Sequence, residues 1–418
     1  PSTSPLETRE QGALERTYYD VTIPSFDGTQ LRATVFQPAL EPGETAPLLI
    51  HAHGFGVFRM SGPISDYGTL IYSGIAAKTA WQNKYWVISY DARGHGQSDG
   101  MIRVMDPDYE AKDVSAIIDW ATANIGRITP DSRGDYAIGM IGESYGGGAQ
   151  LMGATLDKRI DALVPITTWN SFQTALTPDQ VPKSGWLTTL ILVGNGLNPG
   201  HMEPILNRAY WQARSGRIDK EIFDFLATHS PRYNCQNGLT PDADVLLVQG
   251  MRDVLFPLNE AKENYDCLAN GKHDVRLIAT QGGHLLPLSQ WSWVPGYHVE
   301  STIHCDGKRI DMAQMAVDWF DEKLKKLPGK ANYIPQICLT QDYDTGTTFK
   351  SIPVANQHFK FGEITVNNNF TGFFETPLTI TDSLTGWVMP RMDSPALADH
   401  ERNDTHFRPA FIPLELVR

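Results

Sequence analysis

Gly142-Glu143-Ser144-Tyr145-Gly146 is the stretch of this sequence that decides its fold. The apolar residues 136–141 precede it and predict a buried strand, and residues 147–152 follow it and predict the start of a helix. A strand, a G-x-S-x-G turn and a helix together form a nucleophile elbow, in which glycines make room for a strained serine. The sequence therefore predicts that the hydroxyl of Ser144 stands free near the positive end of a helix dipole.

Short apolar runs alternate with helical patterns on both sides of this turn. Runs that predict strands occupy residues 18–38 (a hairpin around Asp27-Gly28), 48–50, 86–90, 160–166, 243–249 and, as the last strand, 274–279. Helical spacing of apolar residues recurs over 109–125 and 311–326. Strands that alternate with helices indicate an α/β protein with a mostly parallel sheet covered on both faces.

The alternation is interrupted between residues 168 and 242, and it ends after residue 326. The first interruption is helical in character and predicts a cap inserted over the site, with residues 186–193 as a buried cap helix. The last part is rich in Thr, Phe, Asn and Pro and predicts a small β-rich C-terminal appendage. The expected organisation is an arm (1–16), a core (17–167 and 243–326), a cap (168–242) and the appendage (327–418).

Composition excludes several classes of protein. The 418 residues carry a formal charge of −13, which argues against a nucleic-acid surface because such a surface needs clustered Lys and Arg. No apolar run is long enough for a membrane span, so we expect no integral membrane segment. No C-x-x-C pair occurs, and we expect neither a metal nor an organic cofactor.

A serine nucleophile needs a histidine base, and the histidine needs a carboxylate to hold its tautomer. Asp253 follows the strand predicted at 243–249, and His284 follows the strand predicted last. Both places are the carboxyl ends of late strands, where the acid and the base of such a site belong. We therefore predict Ser144, Asp253 and His284 as a catalytic triad. Asp266 and Asp274 compete for the role of the acid, but each falls at the wrong point relative to a strand.

The developing oxyanion requires two backbone N–H donors. The sequence places one at Tyr145, next to Ser144, and the other at Phe55 in the loop after an early strand, with Gly54 as the alternative. Residues 91–100 contain several glycines and are interpreted mainly as a scaffold for a tight chain crossing. The residues assigned to the substrate pocket are His53, Trp169, Trp186 and Trp291.

These motifs together resemble the α/β-hydrolase superfamily. Within it, residues 142–147 and 91–100 are similar to the X-prolyl dipeptidyl peptidase and cocaine-esterase-type acyl hydrolases, a group that also carries a β-rich C-terminal domain. The resemblance covers residues 18–326 and implies an α/β-hydrolase fold. Many members of the group supply an oxyanion donor from a tyrosine in a Pro-Tyr motif, whereas this sequence has His53-Gly54-Phe55 there, as in lipases and general esterases.

Three functions are compatible with these observations. The first is a serine carboxylesterase that acts on small-molecule or polymeric esters through an acyl-enzyme. The second is an X-prolyl dipeptidyl peptidase or another amidase with the same triad, and the third is a non-catalytic binding protein. The intact set of Ser144, Asp253 and His284 argues against the third function.

The chain contains four cysteines, Cys235, Cys267, Cys305 and Cys338. An even number is compatible with two disulfides in an oxidising compartment, and also with four reduced buried thiols. If bridges form, the pairings that we favour are Cys235–Cys267 and Cys305–Cys338, because both join segments that flank the late strands. A secreted or periplasmic location is then expected, with the cytoplasm as the alternative. The oligomeric state stays open.

Overall fold

The computed structural model describes residues 12–284, 302–341 and 345–352. Its strands are β1 (Thr17–Pro24), β2 (Gln30–Gln37), β3 (Leu48–Ala52), β4 (Trp86–Tyr90), β5 (Ile138–Glu143), β6 (Ile160–Ile166), β7 (Asp244–Gly250), β8 (Val275–Thr280), β9 (Thr302–Cys305), β10 (Lys308–Asp311), β11 (Ile337–Thr340) and β12 (Gly346–Phe349). Its α-helices are α1 (Asp66–Leu70), α2 (Tyr72–Gln82), α3 (Glu110–Asn124), α4 (Tyr145–Leu156), α5 (Phe172–Leu176), α6 (Ser184–Leu197), α7 (Pro204–Arg214), α8 (Lys220–Thr228), α9 (Pro231–Gln236), α10 (Leu258–Leu268) and α11 (Met312–Lys323).

Ten of these strands form one sheet in the order β1-β2-β4-β3-β5-β6-β7-β8-β11-β12. The pairs from β4 through β3, β5, β6, β7 and β8 to β11 are parallel, while β1, β2 and β12 add antiparallel edges. The predicted hairpin, the predicted strands from 48 to 279 and the helices over 109–125 and 311–326 are all present. The expectation of an α/β-hydrolase fold with a mostly parallel sheet is confirmed.

The sheet is buried on both faces, and this explains why its strands are continuously apolar. Leu48 and Ile50 of β3 pack in a hydrophobic cluster with α3 and α4. Leu49, which lies between them and points to the opposite face, belongs to a second cluster with α2 and α11. The carboxyl ends of the parallel strands therefore meet at one edge between two helical layers, where the loops are free to carry a site.

The segment between β6 and β7 is helical and contains α5 to α9. Residues 186–193, predicted as a cap helix, lie within α6, and the side chain of Val193 lies directly over Gly56 in the loop after β3. The helices thus come close to the site edge of the sheet. The cap boundaries at 168 and 242 stay a prediction.

The C-terminal part differs from the expectation in two ways. Strand β8 is not the last strand, because β11 pairs in parallel with it and β12 continues the same sheet. A separate hairpin of β9 and β10 was also not predicted. The region predicted as an appendage therefore begins with two strands of the large sheet, and residues 353–418 lie outside the described residues.

In the part of the chain that the structure describes, no helix combines the length and the apolar character that a membrane span requires.

Candidate active site

Ser144 lies at the turn between β5 and α4 with φ 51° and ψ −109°. A positive φ at a residue other than glycine is strained and has to be enforced by the surroundings. The neighbouring strand is close enough to enforce it, since a Cβ on either Gly142 or Gly146 would collide with the carbonyl oxygen of Ala52. The Ser144 N–H also donates to the carbonyl of Ile166 at 2.8 Å. The predicted nucleophile elbow is thus present in the geometry.

The structure brings the three predicted triad residues together. The Nε2 atom of His284 is 3.0 Å from Oγ of Ser144, and its Nδ1 atom is 2.8 Å from Oδ2 of Asp253. The side chain of His284 is 5% exposed and that of Asp253 is fully buried. With Nδ1 donating to the carboxylate, Nε2 is left to accept the serine proton, as a general base requires.

The loop after β7 fixes the carboxylate of Asp253. Its Oδ1 atom accepts hydrogen bonds from the N–H groups of Leu255 at 2.9 Å and Phe256 at 2.8 Å. Its Oδ2 atom also accepts from Nε2 of Gln249 at 3.1 Å. These hydrogen bonds fix the orientation in which the carboxylate of Asp253 meets His284.

Aromatic side chains enclose the imidazole of His284. The ring of Phe256 lies 5.0 Å away and the ring of Trp186, on α6, lies 5.9 Å away, both edge to face. Trp186 is half-buried, so the predicted pocket residue stands beside the triad. Apolar walls of this kind exclude water and suit the carbon chain of a substrate.

The side chains of the two residues predicted to supply the oxyanion donors pack against one another. The rings of Phe55 and Tyr145 are 5.6 Å apart. Within the described part of the chain, neither backbone N–H donates a hydrogen bond to a protein group. The alternative donor, the N–H of Gly54, is already bound to the hydroxyl of Tyr67 at 2.6 Å. Phe55 and Tyr145 are therefore better placed than Gly54 to receive a negative oxygen.

Two predicted pocket residues turn out to be buried in the scaffold. The Nε2 atom of His53 accepts from the N–H of Ala92 at 3.0 Å, and its Nδ1 atom lies 2.7 Å from the carbonyl of Gly54, so both ring nitrogens are occupied. Trp169 is 1% exposed and stacks on Phe172 at 4.0 Å. These residues support the loops of the site without lining it. Trp291 lies outside the described residues.

The 91–100 segment has the structural role that we predicted. Arg93 is buried and pairs with Asp113 at 2.7 Å and with Asp27 at 2.8 Å. Asp91 is buried as well and pairs with Arg59 at 2.6 Å. These charges are satisfied by one another, and they tie the crossing loop to the turn between β1 and β2, to α3 and to the segment after β3.

Some side chains that hold the loops of the site carry no signal in the sequence. Nζ of Lys183 donates to the carbonyls of Val254 at 2.9 Å and Leu255 at 3.1 Å. These bonds join the start of α6 to the loop after β7 that carries Asp253. Tyr67, which lies on α1, binds the N–H of Gly54 in the loop after β3. Because this loop carries Phe55, the predicted oxyanion donor, we call it the oxyanion loop. Neither residue belongs to a motif, so only the three-dimensional arrangement reveals it. In contrast, Gln249 lies near the end of β7, four residues before Asp253, and this position in the sequence is a signal for a side chain that contacts the acid.

In the described ranges, no group of three or more His, Cys, Asp or Glu side chains is arranged to hold a metal ion. A serine hydroxyl, an imidazole and two backbone N–H groups are the kinds of group that acyl transfer requires as nucleophile, base and oxyanion donors.

A comparison with known families decides where the chain belongs. The model of the X-Pro dipeptidyl-peptidase (S15) family matches residues 27–286, which is more than half of the chain and includes all three triad positions. The chain belongs to the S15 family. Its likeness to the X-prolyl dipeptidyl peptidase and cocaine-esterase-type group is thereby confirmed.

Curated relatives of this S15 chain match only in part. The thiohydrolase aneE from Aspergillus aculeatus is 28% identical over 169 residues, which cover 40% of this chain and 46% of the relative. An uncharacterized protein from Pseudomonas aeruginosa is 26% identical over 151 residues, which cover 36% of each. The matches therefore span less than half the length of these relatives.

Among solved structures, the S15 chain is similar to a CocE/NonD family hydrolase from Staphylococcus aureus, with a TM-score of 0.57 and 16% identity. The alignment covers 85% of this chain and 62% of that structure. At this identity the likeness supports the shared α/β-hydrolase fold.

Two disulfides link parts of the S15 chain that lie far apart in sequence. Cys235 at the end of α9 is bonded to Cys267 in α10, and Cys305 at the end of β9 is bonded to Cys338 in β11. Both pairings are those favoured from the sequence.

Proposed function

We propose that this protein is a serine hydrolase that cleaves carboxylic esters through an acyl-enzyme intermediate. The continuous line of hydrogen bonds from Ser144 through His284 to Asp253 carries the proposal, since each distance lies in the range that a working triad requires. A protein that only bound its ligand would have no need for this alignment or for the strained backbone at Ser144.

In the first half-reaction, Oγ of Ser144 bonds to the ester carbonyl carbon while its proton passes to Nε2 of His284. The C=O electron pair moves onto the carbonyl oxygen, which the Phe55 and Tyr145 N–H groups stabilise. When the tetrahedral intermediate collapses, the C–O bond to the alcohol breaks and His284 returns the proton to the leaving oxygen.

In the second half-reaction, a water molecule repeats the same steps on the acyl-enzyme. His284 accepts a proton from the water as its oxygen attacks the acyl carbon, and the bond to Ser144 then breaks with return of that proton to Oγ. The carboxylate of Asp253 stabilises the imidazolium in both halves and stays ionised. The products are an acid and an alcohol, and the enzyme is regenerated.

The surroundings of the triad favour an ester over a dipeptide. A dipeptidyl peptidase has to bind the free amine of its substrate, which calls for an available carboxylate. Three buried or half-buried glutamates near the site are already engaged by protein donors: Glu143 by Ser73, Glu110 by Tyr145 and Glu260 by the Asn170 N–H. The aromatic rings around His284 suit an apolar acyl or alcohol group instead.

Membership of the S15 family keeps cleavage of X-Pro peptides as the second candidate. The relative from Aspergillus is named a thiohydrolase, so thioesters also belong among the substrates to be tested. A triad of this kind attacks the carbonyl carbon of an ester, a thioester or an amide. These substrates differ in the leaving group and in the part that the pocket has to bind. The two disulfides support action in an oxidising compartment, such as outside the cell or in a periplasm.

The test compares a p-nitrophenyl ester series, an acyl thioester series and an X-Pro-p-nitroanilide, using wild-type protein and Ser144→Ala. Ser215→Ala is the matched control, because it makes the same change at the exposed end of α7. We expect ester turnover that is lost in Ser144→Ala and kept in Ser215→Ala. Preferred anilide cleavage would assign the peptidase function, and turnover that survives in Ser144→Ala would refute the proposal.

A further inference from the structure

A chain of buried hydrogen bonds runs behind the oxyanion loop and ends next to the nucleophile. We call it the buried relay, and its members are Glu143, Tyr67, Ser73, His51 and Ser89. Tyr67 is 4% exposed, and His51, Ser73 and Ser89 are fully buried. These residues come from β3, β4, β5, α1 and α2. Neither the triad nor the proposed oxyanion donors include any of them.

The relay starts at the oxyanion loop itself. The N–H of Gly54, directly before Phe55, donates to the hydroxyl of Tyr67 at 2.6 Å. The Tyr67 hydroxyl and Oε1 of Glu143 lie side by side at Gly54, 3.4 and 3.5 Å from the position that a Cβ would take there, and burial together with the Glu143 carboxylate raises the pKa of Tyr67. Since Glu143 is the residue before Ser144, the relay links the loop that carries one oxyanion donor to the turn that carries the nucleophile.

The other half of the relay anchors Glu143. The hydroxyl of Ser73 donates to the second oxygen of this carboxylate, so its oxygen has to accept the proton of Nε2 of His51 at 3.0 Å. Nδ1 of His51 then has no proton and accepts from the hydroxyl of Ser89 at 2.8 Å. The Ser89 oxygen accepts from the N–H of Met60 at 2.8 Å. Each polar side chain of the relay therefore has a hydrogen-bond partner or a polar neighbour.

Two features keep this arrangement in a single state. The ring of His51 stays neutral, because burial lowers its pKa to about 3. The ring of Tyr67 packs edge to face on it at 5.0 Å between centroids. A polar network of this kind is costly to bury and gives a unique geometry only when all of its members are satisfied.

We propose that Tyr67 and Glu143 are positioning residues that set the distance between the Phe55 N–H and Ser144. The inference rests on the proposed serine-hydrolase function. By binding the Gly54 N–H, Tyr67 fixes the direction of the next peptide group and leaves the Phe55 N–H as the donor that faces the reacting oxygen. The relay thus supports the oxyanion hole without contacting the substrate.

This role differs from a purely structural one in a measurable way. A misplaced oxyanion donor weakens binding of the transition state and leaves the ground-state complex almost unchanged, so the loss falls on kcat and not on KM. A stabilising hydrogen bond elsewhere in the core would change the melting temperature alone. Tyr85 offers the matched comparison: it is fully buried, and its hydroxyl donates to the carboxylate of Asp321 at 2.9 Å, on the face of the sheet covered by α11.

The experiment compares wild-type protein, Tyr67→Phe and Tyr85→Phe. One readout is the rate constant with which a fluorophosphonate labels Ser144. In that step the bond from Ser144 Oγ to phosphorus forms, fluoride leaves, the serine proton passes to His284, and the phosphonyl oxygen takes the oxyanion site. The second readout is kcat and KM for p-nitrophenyl butyrate, and the third is the thermal midpoint.

For Tyr67→Phe we expect the labelling rate and kcat to fall by about tenfold to a hundredfold, with KM within about twofold of wild type. Tyr85→Phe should lose a comparable amount of thermal stability and keep its labelling rate and kcat. Glu143→Gln is the second variant. It should show a smaller loss of rate, because the amide oxygen of Gln still accepts a hydrogen bond from a hydroxyl, whereas the amide nitrogen that replaces the other carboxylate oxygen cannot accept one.

An unchanged labelling rate in Tyr67→Phe would overturn the inference, and so would an equal loss of rate in Tyr85→Phe. If Tyr67→Phe does not fold, Glu143→Gln decides by the same criteria. The outcome is separable from that of the proposed function: a wild type that the fluorophosphonate labels at Ser144 but that hydrolyses no ester would refute the ester function, while the effect of Tyr67 on labelling would still stand.

Discussion

The carboxylate of Asp253 accepts hydrogen bonds on both of its oxygens before any substrate binds. Oδ1 takes the two N–H groups of Leu255 and Phe256, and Oδ2 is shared between Gln249 and His284. The acid is therefore oriented by the loop that carries it. The hydrogen bond between Nδ1 of His284 and Oδ2 of Asp253 orients the imidazole in turn. The geometry of the triad therefore depends strongly on this bond.

We predict that Asp253→Asn lowers kcat by about 10³–10⁴-fold and leaves KM nearly unchanged, since an amide cannot hold His284 in the tautomer that accepts the serine proton. Steady-state kinetics with the preferred substrate measures the effect. Asp266→Asn is the control, because this competing carboxylate is exposed and pairs with Lys262 on α10. Equal activity in both variants would remove Asp253 from the triad.

Glu110 supports the residue that follows the nucleophile. It is 2% exposed and accepts hydrogen bonds from the hydroxyl of Tyr145 at 3.0 Å and from the N–H groups of Arg103 at 2.5 Å and Asp106 at 2.9 Å. Burial raises the pKa of Glu110 from 4.5 to about 8, and the nearby charge of Asp113 adds to this rise. The folded protein therefore keeps a proton that the unfolded chain releases.

Because the folded and unfolded states hold different numbers of protons, the free energy of unfolding depends on pH. Below pH 4.5 the group is protonated in both states, and above it the folded state alone holds the proton until the pH passes about 8. Stability should therefore fall as the pH rises through this window, by at most about 1.4 kcal/mol per pH unit. Glu110→Gln should lose this pH dependence, whereas the exposed control Glu221→Gln should run parallel to wild type. Urea unfolding across the window provides the measurement, and parallel curves for all three proteins would contradict the prediction.

At the scale of elements, the turn from β5 to α4 depends on how closely β3 approaches it. A Cβ on Gly146 would meet the carbonyl oxygens of Ala52 and His53 at the end of β3. This contact involves backbone on both sides, so neither partner can give way cheaply. The elbow therefore needs glycine for space, and the strain at Ser144 is held by the sheet.

We predict that Gly146→Ala lowers kcat at least about a hundredfold, because the nucleophile moves relative to His284. The free energy of unfolding should also fall by about 1–3 kcal/mol through overpacking. Gly185→Ala is the matched control, since this exposed glycine begins α6 and a Cβ on it would meet no atom within 4 Å. A Gly146→Ala protein as active as Gly185→Ala would show that the turn tolerates the extra carbon.

The sequence predicted the elements that carry local signals and missed those that depend on distant partners. The elbow, Asp253 and His284 are marked by strand ends and turn residues that lie next to them in the chain. His53 carries a similar local signal, but its ring nitrogens are used by Ala92 and by the neighbouring Gly54 carbonyl, which places it in the scaffold. The hydrogen bond from Gly54 to Tyr67 has no sequence pattern at all.

At the scale of the whole molecule, the largest departure from expectation is the far edge of the sheet. Strands β11 and β12 are only four residues long each, and a short apolar run far from the other strands gave no reason to place it in the sheet. Their place becomes clear from the pairing of β11 with β8 and from the disulfide that joins β9 to β11. This bridge ties the C-terminal edge to the hairpin that precedes α11.

The two disulfides should stabilise the folded protein by nearly equal amounts. They close loops of nearly equal length, with sequence separations of 32 and 33 residues. Because a crosslink acts mainly on the unfolded chain, and its effect depends on loop length, replacing either pair by alanine should cost about 2–4 kcal/mol and nearly the same amount in both cases. Urea unfolding of Cys235→Ala/Cys267→Ala and Cys305→Ala/Cys338→Ala measures this, with thiol titration of the denatured wild type as the control. A wild type that titrates four thiols, or a pair whose removal leaves stability unchanged, would contradict the prediction and would also withdraw the support that the bridges lend to an oxidising compartment.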